Sequence, residues 1–169
     1  LAASTREGEE AELLACWREL PPPRPLLLVV PRHPQRFDEV EGLIRDAGFA
    51  VVRRKQWDGQ PPRAAGEADV WLGDSLGEMP VYYACADVAL LGGSFGEFGG
   101  QNLIEAAACG CPVVMGPHTF NFAQASAKSI AARAALRVAN LREGVDAALQ
   151  LDPAVPSAWR DLGLRYVLA

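Results

Sequence analysis

The chain has 169 residues, of which 50% are hydrophobic and 22% are charged, and its formal net charge is −5. This length is typical of one domain, and the composition excludes intrinsically disordered and collagen-like proteins. The acidic balance argues against nucleic acid as a partner, because a nucleic-acid surface needs a basic stripe. The longest apolar runs fall short of the roughly 20 residues that span a bilayer, so we expect a soluble domain.

The cysteines and histidines do not form a metal-binding pattern. Cys16, Cys85, Cys109 and Cys111 lack C-x-x-C spacing, and the sequence has two histidines, so no zinc site is predicted. Scattered cysteines among apolar residues favour a reducing compartment. The sequence opens without a methionine or a recognisable targeting segment, and we therefore expect an excised piece of a longer protein.

Strand and helix patterns alternate along the chain. In chain order, the predicted elements are strand 1–3, helix 7–20, strand 26–30, helix 37–47, strand 49–52, loop 53–66, strand 68–72, helix 79–85, strand 87–91, helix 102–109, strand 112–115, helix 122–133, strand 136–138, helix 141–150 and helix 156–168. Continuously apolar strands that alternate with helices predict an α/β fold, in which a parallel sheet has helices on both faces.

Capping patterns follow several of the predicted strands. A capping box pairs a polar cap with Glu or Gln three residues later, and the pattern occurs in the pairs Ser4 and Glu7, Ser75 and Glu78, Asn102 and Glu105, and Asn121 and Gln124. The N–H groups at helix N-termini favour anions, and open parallel sheets bind ligands beyond the carboxyl ends of their strands. The pattern therefore predicts a ligand that carries phosphate.

A glycine-rich segment, residues 92–100, follows one predicted strand and precedes a helix. Glycine permits positive φ angles and a close approach of backbone to ligand. The segment matches neither GxGxxG nor a P-loop, which disfavours a dinucleotide enzyme or an NTPase. It is either a ligand-binding turn or a turn without a ligand, and Glu105 beyond it is a ligand contact, a helix cap or both.

Seven motifs in register carry a resemblance to a known family. They are residues 3–10 (ASTREGEE), 31–37 (PRHPQRF), 72–79 (LGDSLGEM), 82–88 (YYACADV), 92–94 (GGS), 99–107 (GGQNLIEAA) and 116–122 (GPHTFNF). In this order they resemble the carboxy-terminal domain of the 3-deoxy-D-manno-octulosonic acid (Kdo) transferases of Gram-negative bacteria. The resemblance extends from residue 2 to about residue 150.

The resemblance implies a Rossmann-like domain, the carboxy-terminal half of a two-domain GT-B glycosyltransferase. Such an enzyme transfers Kdo from CMP-Kdo to a lipid A precursor, lipid IVA, with inversion and without metal or other cofactor. The family's catalytic base and its acceptor surface lie in the amino-terminal domain. We therefore expect no catalytic residue in this chain and no transfer by it alone. The whole enzyme is expected at the cytoplasmic face of the inner membrane, bound to it through the other domain.

The resemblance also implies which residues bind the donor. They are Arg32, Gly77, Glu78, Met79, Ser94, Gly99, Gly100, Asn102 and Glu105, with Ser4, Thr5, Pro31, His33 and His118 as further candidates. Asn102 and the Gly99–Gly100 backbone match the phosphate motif, and Glu105 matches the carboxylate that binds the ribose. Arg32 would pair with the phosphate or the sugar carboxylate, and residues 77–79 would frame the cytosine.

Two positions depart from the family pattern. Arg6 and Gln101 stand where many relatives carry histidine, so no argument from a titrating imidazole applies there. Residues 1–150 are predicted to bind the nucleotide sugar, and residues 151–169 to form a helix that packs toward the other domain. Two alternatives stay open: a GT-B donor domain for a UDP-sugar, and a non-catalytic nucleotide-binding module.

Overall fold

The computed structural model describes residues 1–151, and its elements confirm the predicted strand–helix alternation. The strands are β1 (Ala2–Thr5), β2 (Leu27–Pro31), β3 (Val51–Arg53), β4 (Val70–Leu72), β5 (Ala89–Leu91), β6 (Val113–Met115) and β7 (Ala135–Arg137). The helices are α1 (Glu9–Glu19), α2 (Phe37–Asp46), α3 (Met79–Cys85), α4 (Leu103–Ala108), α5 (Ala123–Ala131) and α6 (Leu141–Gln150). The predicted helix 156–168 lies outside the described residues.

The seven strands form one sheet in the order β3-β4-β2-β1-β5-β6-β7, and every neighbouring pair is parallel. From β1 the chain builds one half of the sheet through β2, β3 and β4, and then crosses to β5 on the other side of β1. The point where the order reverses therefore lies between β1 and β5. In open α/β sheets, ligands bind in the crevice at such a point.

The sheet is covered on both faces, as predicted. One face packs against α1, α2 and α6 through residues such as Leu13, Ile44 and Val145, each about 1% exposed or less. The other face packs against α3, α4 and α5 through Tyr83, Leu103 and Ile130. Burying each large apolar side chain contributes about 1.5–3 kcal/mol, so the two layers hold the strand ends in fixed positions. No helix within residues 1–151 is both long and apolar enough to cross a membrane.

Three predicted helix ends are confirmed by their backbone geometry. Gly48 follows α2 with φ +87° and Gly110 follows α4 with φ +68°, which is the left-handed conformation of a C-terminal cap. The Asn102 side chain accepts a hydrogen bond from the N–H of Ile104 at 3.1 Å and thereby begins α4 as an N-cap.

The capping box predicted at Ser4 and Glu7 is wrong. Ser4 still belongs to β1, where φ is +57° and the pairing with β2 shifts register between Ala3 and Thr5. This bulge continues the strand by one residue, and α1 then begins after Gly8. The helix therefore starts two residues later than its apolar spacing predicts.

The boxes predicted at Ser75 and Asn121 are also wrong. The N-cap of α3 is Glu78 and not Ser75, because the turn after β4 is longer than the pattern assumes. Asn121 lies in the 3-10 helix Phe120–Phe122 and donates its side-chain amide to the Phe98 carbonyl at 2.9 Å. A capping box that the sequence analysis did not predict begins α6, where Asn140 accepts from the Glu143 N–H at 2.9 Å.

The segment predicted as a loop over 53–66 is partly ordered as 3-10 helix. Two short turns, Arg54–Gln56 and Arg63–Gly66, interrupt it. Its aromatic residues explain the order, because Trp57 packs edge-on against Trp71 with ring centroids 5.0 Å apart. The Trp71 indole N–H also donates to the Ala65 carbonyl at 2.8 Å.

Candidate functional site

A cleft of about 350 Å³ opens at the carboxyl edge of the sheet. Its walls come from the end of β1, the end of β2, the turn after β4 and the first turn of α4. All of these segments follow parallel strands, so the sheet itself brings them together. The volume lies within the range of about 300–1,000 Å³ that is usual for small-molecule sites.

Half of the predicted site residues line this cleft. They are Ser4, Pro31, Arg32, Gly77, Met79, Asn102 and Glu105. The lining also contains residues that the sequence analysis did not assign to the site: Val30, Phe37, Ser75, Leu76, Tyr83, Gln101 and Phe122. The remaining predicted residues are not part of the lining; they are Thr5, His33, Glu78, Ser94, Gly99, Gly100 and His118.

Arg32 is the exposed cation of the cleft. It follows β2 directly, and its backbone N–H donates to the Thr5 carbonyl at 2.9 Å, which fixes the base of the side chain. Its Nε donates to Gln101 Oε1 at 3.1 Å. The guanidinium carries five N–H donors in a planar fork, so further donors can face an anion in the cleft.

Asn102 and Glu105 lie one turn apart at the start of α4. The Asn102 side chain caps the helix, as described above. The Glu105 carboxylate lines the cleft and forms no hydrogen bond within residues 1–151, so the predicted capping box is closed on the Asn102 side alone. A half-buried carboxylate with unoccupied acceptor positions is suited to vicinal hydroxyl groups, each of which donates one hydrogen bond.

Apolar side chains line part of the cleft, and we refer to them as its apolar wall. Val30, Phe37, Met79 and Phe122 contribute it, and together they offer a surface on which a planar base can pack. Tyr83 also lines the cleft, although it is 2% exposed, and burial raises the pKa of its hydroxyl well above the ordinary value. Tyr83 therefore belongs to the core as well as to the lining of the cleft.

The turn after β4 is held by Glu78. Its carboxylate accepts from the Ser75 hydroxyl, from the Tyr82 hydroxyl at 3.2 Å and from the Arg54 guanidinium at 2.8 Å. The hydrogen bond from Ser75, followed by those from Tyr82 and Arg54, lowers the pKa of Glu78. Glu78 therefore shapes the turn on which Gly77, with φ +79°, faces the cleft.

Gly99 and Gly100 shape the wall behind Asn102. Both have positive φ angles, +84° and +79°, and a Cβ on Gly99 would lie 2.5 Å from the Asn121 side-chain amide. The Gly100 N–H donates to the Gly93 carbonyl at 2.7 Å, so this particular N–H is occupied within the turn. Only glycine fits at position 99 without movement of its neighbours.

The predicted hydroxyl candidates divide between the cleft and the interior. Ser94 is fully buried; its hydroxyl donates to the Leu91 carbonyl at 2.5 Å and accepts from the Gly116 N–H at 2.8 Å. Thr5 is 4% exposed and donates to Glu10 at 2.7 Å. The Thr5 hydroxyl joins β1 to α1, and the Ser94 hydroxyl joins the glycine-rich segment to the end of β5 and to Gly116, whereas Ser4 lines the cleft itself.

His33 and His118 lie in loops at half-buried positions. The His33 carbonyl accepts from the Arg36 N–H at 3.0 Å and begins the 3-10 helix Pro34–Arg36. The His118 N–H donates to the Ser94 carbonyl, also at 3.0 Å. In both cases the backbone, and not the imidazole, makes the contact that the structure shows. Within residues 1–151, no cluster of three or more His, Cys, Asp or Glu side chains forms a metal site.

Comparisons with known proteins agree with this geometry. The chain is 54% identical over 154 residues to the 3-deoxy-D-manno-octulosonic acid transferase of Bordetella pertussis, across 88% of this chain and 35% of the relative. It is 36% identical over 152 residues to the transferase of the same name from Haemophilus influenzae, across 89% and 35%. A crystal structure of the C-terminal CMP-Kdo binding domain of WaaA from Acinetobacter baumannii matches with a TM-score of 0.78 and 35% identity, across 98% of this chain and 86% of that chain.

The chain belongs to the Kdo transferase family. It matches the carboxy-terminal domain of that GT-B glycosyltransferase, and it spans about a third, 35%, of the length of the curated relatives. No protein-family model matches the chain.

Arg6 and Gln101, the two positions that are predicted to depart from the family pattern, are neighbours. Arg6 lies over the Phe98 ring, with its guanidinium carbon 4.2 Å from the ring centroid. Gln101 lines the cleft and accepts from Arg32. A Cβ on Gly93 would lie 3.0 Å from Gln101 Nε2 and 3.5 Å from Arg6 Cγ. Arg6 and Gln101 therefore both lie beside Gly93, and each has a partner of its own.

Arg36 and Glu10 form a buried ion pair that the sequence did not predict. Arg36 is 6% exposed and Glu10 is 1% exposed, and two hydrogen bonds of 2.8 and 3.1 Å join them. Arg36 also donates two hydrogen bonds to the carboxylate oxygens of Glu39. The hydrogen bonds with Glu39 raise the pKa of the guanidinium, and those with Glu10 raise it further. The only available sequence signal was that both residues fall within family motifs.

Proposed function

We propose that this domain binds the nucleotide of CMP-Kdo in the cleft, as the donor half of a Kdo transferase. The observation that carries the proposal is the convergence of Arg32, Asn102 and Glu105 at the carboxyl edge of the sheet, beside an apolar wall. The match to a solved domain described as CMP-Kdo binding supports the choice of ligand.

Each part of the donor has a chemically suited group in the cleft. Arg32 presents a planar cation, which pairs with a phosphate or with the carboxylate of the sugar acid through parallel hydrogen bonds. Glu105 accepts hydrogen bonds from the ribose hydroxyls. The cytosine packs between the apolar wall and the turn at Gly77, where the absence of a side chain leaves room for the base.

The rest of the reaction belongs to the whole protein. We propose that the whole enzyme transfers Kdo to a lipid A precursor, lipid IVA, with inversion, at the cytoplasmic face of the inner membrane. The acceptor surface and the general base are assigned to the other domain. Because positioning and base catalysis together supply many orders of magnitude in rate, the 169-residue chain alone is expected to form no product.

Calorimetric titration of the 169-residue chain tests the proposal. We expect CMP to bind more tightly than UMP or AMP, and we expect Arg32→Ala to weaken the binding of CMP. Arg45→Ala is the matched control, because Arg45 is 59% exposed on α2 and pairs with Glu41 away from the cleft. Equal affinity for the three nucleotides, or equal effects of the two arginine variants, would contradict the proposal. Product formed from CMP-Kdo and lipid acceptor by this chain alone would contradict the assignment of the base.

A further inference from the structure

Glu9 is a buried carboxylate at the point where the strand order reverses. Its side chain is in the first turn of α1, and the residue is 5% exposed. Burying a carboxylate is costly unless its oxygens receive hydrogen bonds. The groups that donate hydrogen bonds to Glu9 lie in two separate loops, one after β1 and one after β5.

Four backbone N–H groups donate to this carboxylate. Oε2 accepts from Arg6 at 2.8 Å and from Gly93 at 2.8 Å. Oε1 accepts from Phe95 at 3.1 Å and from Gly96 at 3.2 Å. Three of the four donors belong to the glycine-rich segment, which the sequence analysis considered as a ligand-binding turn. An internal carboxylate therefore occupies the N–H groups at the start of this turn.

The glycine turn lies close against the end of β1. Gly93 adopts φ +69°, and a Cβ on Gly92 would lie 2.2 Å from the Ser4 carbonyl oxygen, so the turn is in close contact with the end of β1. Beyond the anchored N–H groups the backbone leads to Gln101 and Asn102, which line the cleft. The position of these cleft residues depends on the conformation of the turn.

We propose that Glu9 is a positioning residue that fixes the glycine turn against the loop after β1 and so places the cleft residues that follow the turn. It acts through its acceptor oxygens, and it does not touch the ligand. The effect on nucleotide affinity rests on the proposed function, whereas the effect on the turn does not.

Amide hydrogen exchange in the ligand-free 169-residue chain tests the anchor directly. Glu9→Gln keeps the side-chain volume but replaces one acceptor oxygen with a donor group. We expect exchange to become about tenfold faster or more at one of the two donor sets, Arg6 and Gly93 or Phe95 and Gly96. Glu12→Gln, on the exposed side of α1, is the matched control. Unchanged amide exchange in Glu9→Gln would overturn the proposal that Glu9 anchors the turn. If Glu9→Ala then showed faster exchange, the side chain would contribute by packing alone.

Calorimetry on the same variants tests the link to the site. We expect Glu9→Gln to weaken the binding of CMP about tenfold, the equivalent of one hydrogen bond to a charged group, and Glu12→Gln to leave it unchanged. Faster exchange with unchanged CMP affinity would overturn the positioning of the cleft. Should the parent chain bind no CMP, the proposed function fails, and exchange alone still decides whether Glu9 anchors the turn.

Discussion

Arg32 and Arg36 lie four residues apart in one motif, but their environments are opposite. Arg36 is buried, and its guanidinium makes four hydrogen bonds to the carboxylates of Glu10 and Glu39. Arg32 is exposed at the cleft and donates from its side chain to Gln101. A guanidinium that is surrounded by carboxylates has no capacity for a ligand anion. Burial and partners, and not residue type, therefore distinguish the arginine that stabilises the fold from the arginine that can bind.

Arg36→Ala should have the largest effect and should act on stability. The change leaves the Glu10 carboxylate buried and without its cation, which typically costs about 3–5 kcal/mol. Chemical denaturation measures the loss as a lower midpoint. Arg45→Ala removes an exposed pair with Glu41 and should cost less than about 1 kcal/mol. Similar losses for the two variants would mean that the buried network does not support the fold.

Arg32→Ala should leave stability nearly unchanged and weaken the binding of CMP by about 1.5–3 kcal/mol, the scale of hydrogen bonds to charged groups. Arg32→Lys should weaken binding less, because the charge remains while the planar fork is lost. Calorimetry gives both affinities, and denaturation checks the fold.

Cytidine separates phosphate binding from support of the loop at Arg32. Cytidine lacks the phosphate, so its affinity should hardly change in either Arg32 variant. If cytidine and CMP lose affinity equally, Arg32 supports the loop or the base. If neither affinity changes, the side chain does not bind the nucleotide.

Glu105→Gln should weaken CMP by about 1–2 kcal/mol, because a neutral amide is a weaker acceptor for the ribose hydroxyls than a carboxylate. The helix should remain stable, since Asn102 provides its cap. Comparison with 2′-deoxy-CMP sharpens the test: the deoxy ligand should lose less affinity than CMP on this substitution. A lower melting temperature of the Glu105→Gln variant, together with unchanged CMP affinity, would instead show that Glu105 has a structural role.

Glu78→Gln should have the smallest effect, and the effect should depend on pH. The folded pKa of Glu78 lies below the ordinary value of 4.5. Its hydrogen bonds therefore stabilise the fold above pH 4.5, and this contribution is lost as the pH falls through the lowered pKa. The pair with Arg54 is partly exposed, so we expect less than about 1 kcal/mol. The free energy of unfolding, measured between pH 6 and pH 3, should therefore fall less steeply with decreasing pH in the variant than in the parent chain.

The sheet was predictable because most of its strands are short apolar runs that are buried on both faces. The apolar run at residues 26–30 predicts a buried strand, and β2 covers Leu27–Pro31, one residue further along. Helix starts were less predictable, because a cap pattern carries no information about where the preceding strand ends. At Ser4 a bulge extends the strand, and at Ser75 the turn is longer than the pattern assumes.

The site was predictable at the residues that directly follow strands or begin α4, such as Arg32 and Asn102, which the structure places at the cleft. It was less predictable where the partner is distant in sequence. The bond from Gly93 to Glu9 joins residues 84 positions apart, and the pair of Arg36 with Glu10 spans 26. No local pattern encodes such pairs, and only the sheet order brings them together.

Because of the bulge at Ser4, the number of residues at the end of β1 determines which side chains face the site. With the extra residue in place, Thr5 turns inward to Glu10 while Arg6 lies over Phe98. Side chains along a strand alternate between faces, so a register change of one residue exchanges them. Removing a residue here would bring the Arg6 side chain toward the position of the Thr5 hydroxyl. It would also shift the Arg6 N–H, which donates a hydrogen bond to Glu9. Among members of the family, we therefore expect substitutions at position 4 to be more frequent than deletions in this region.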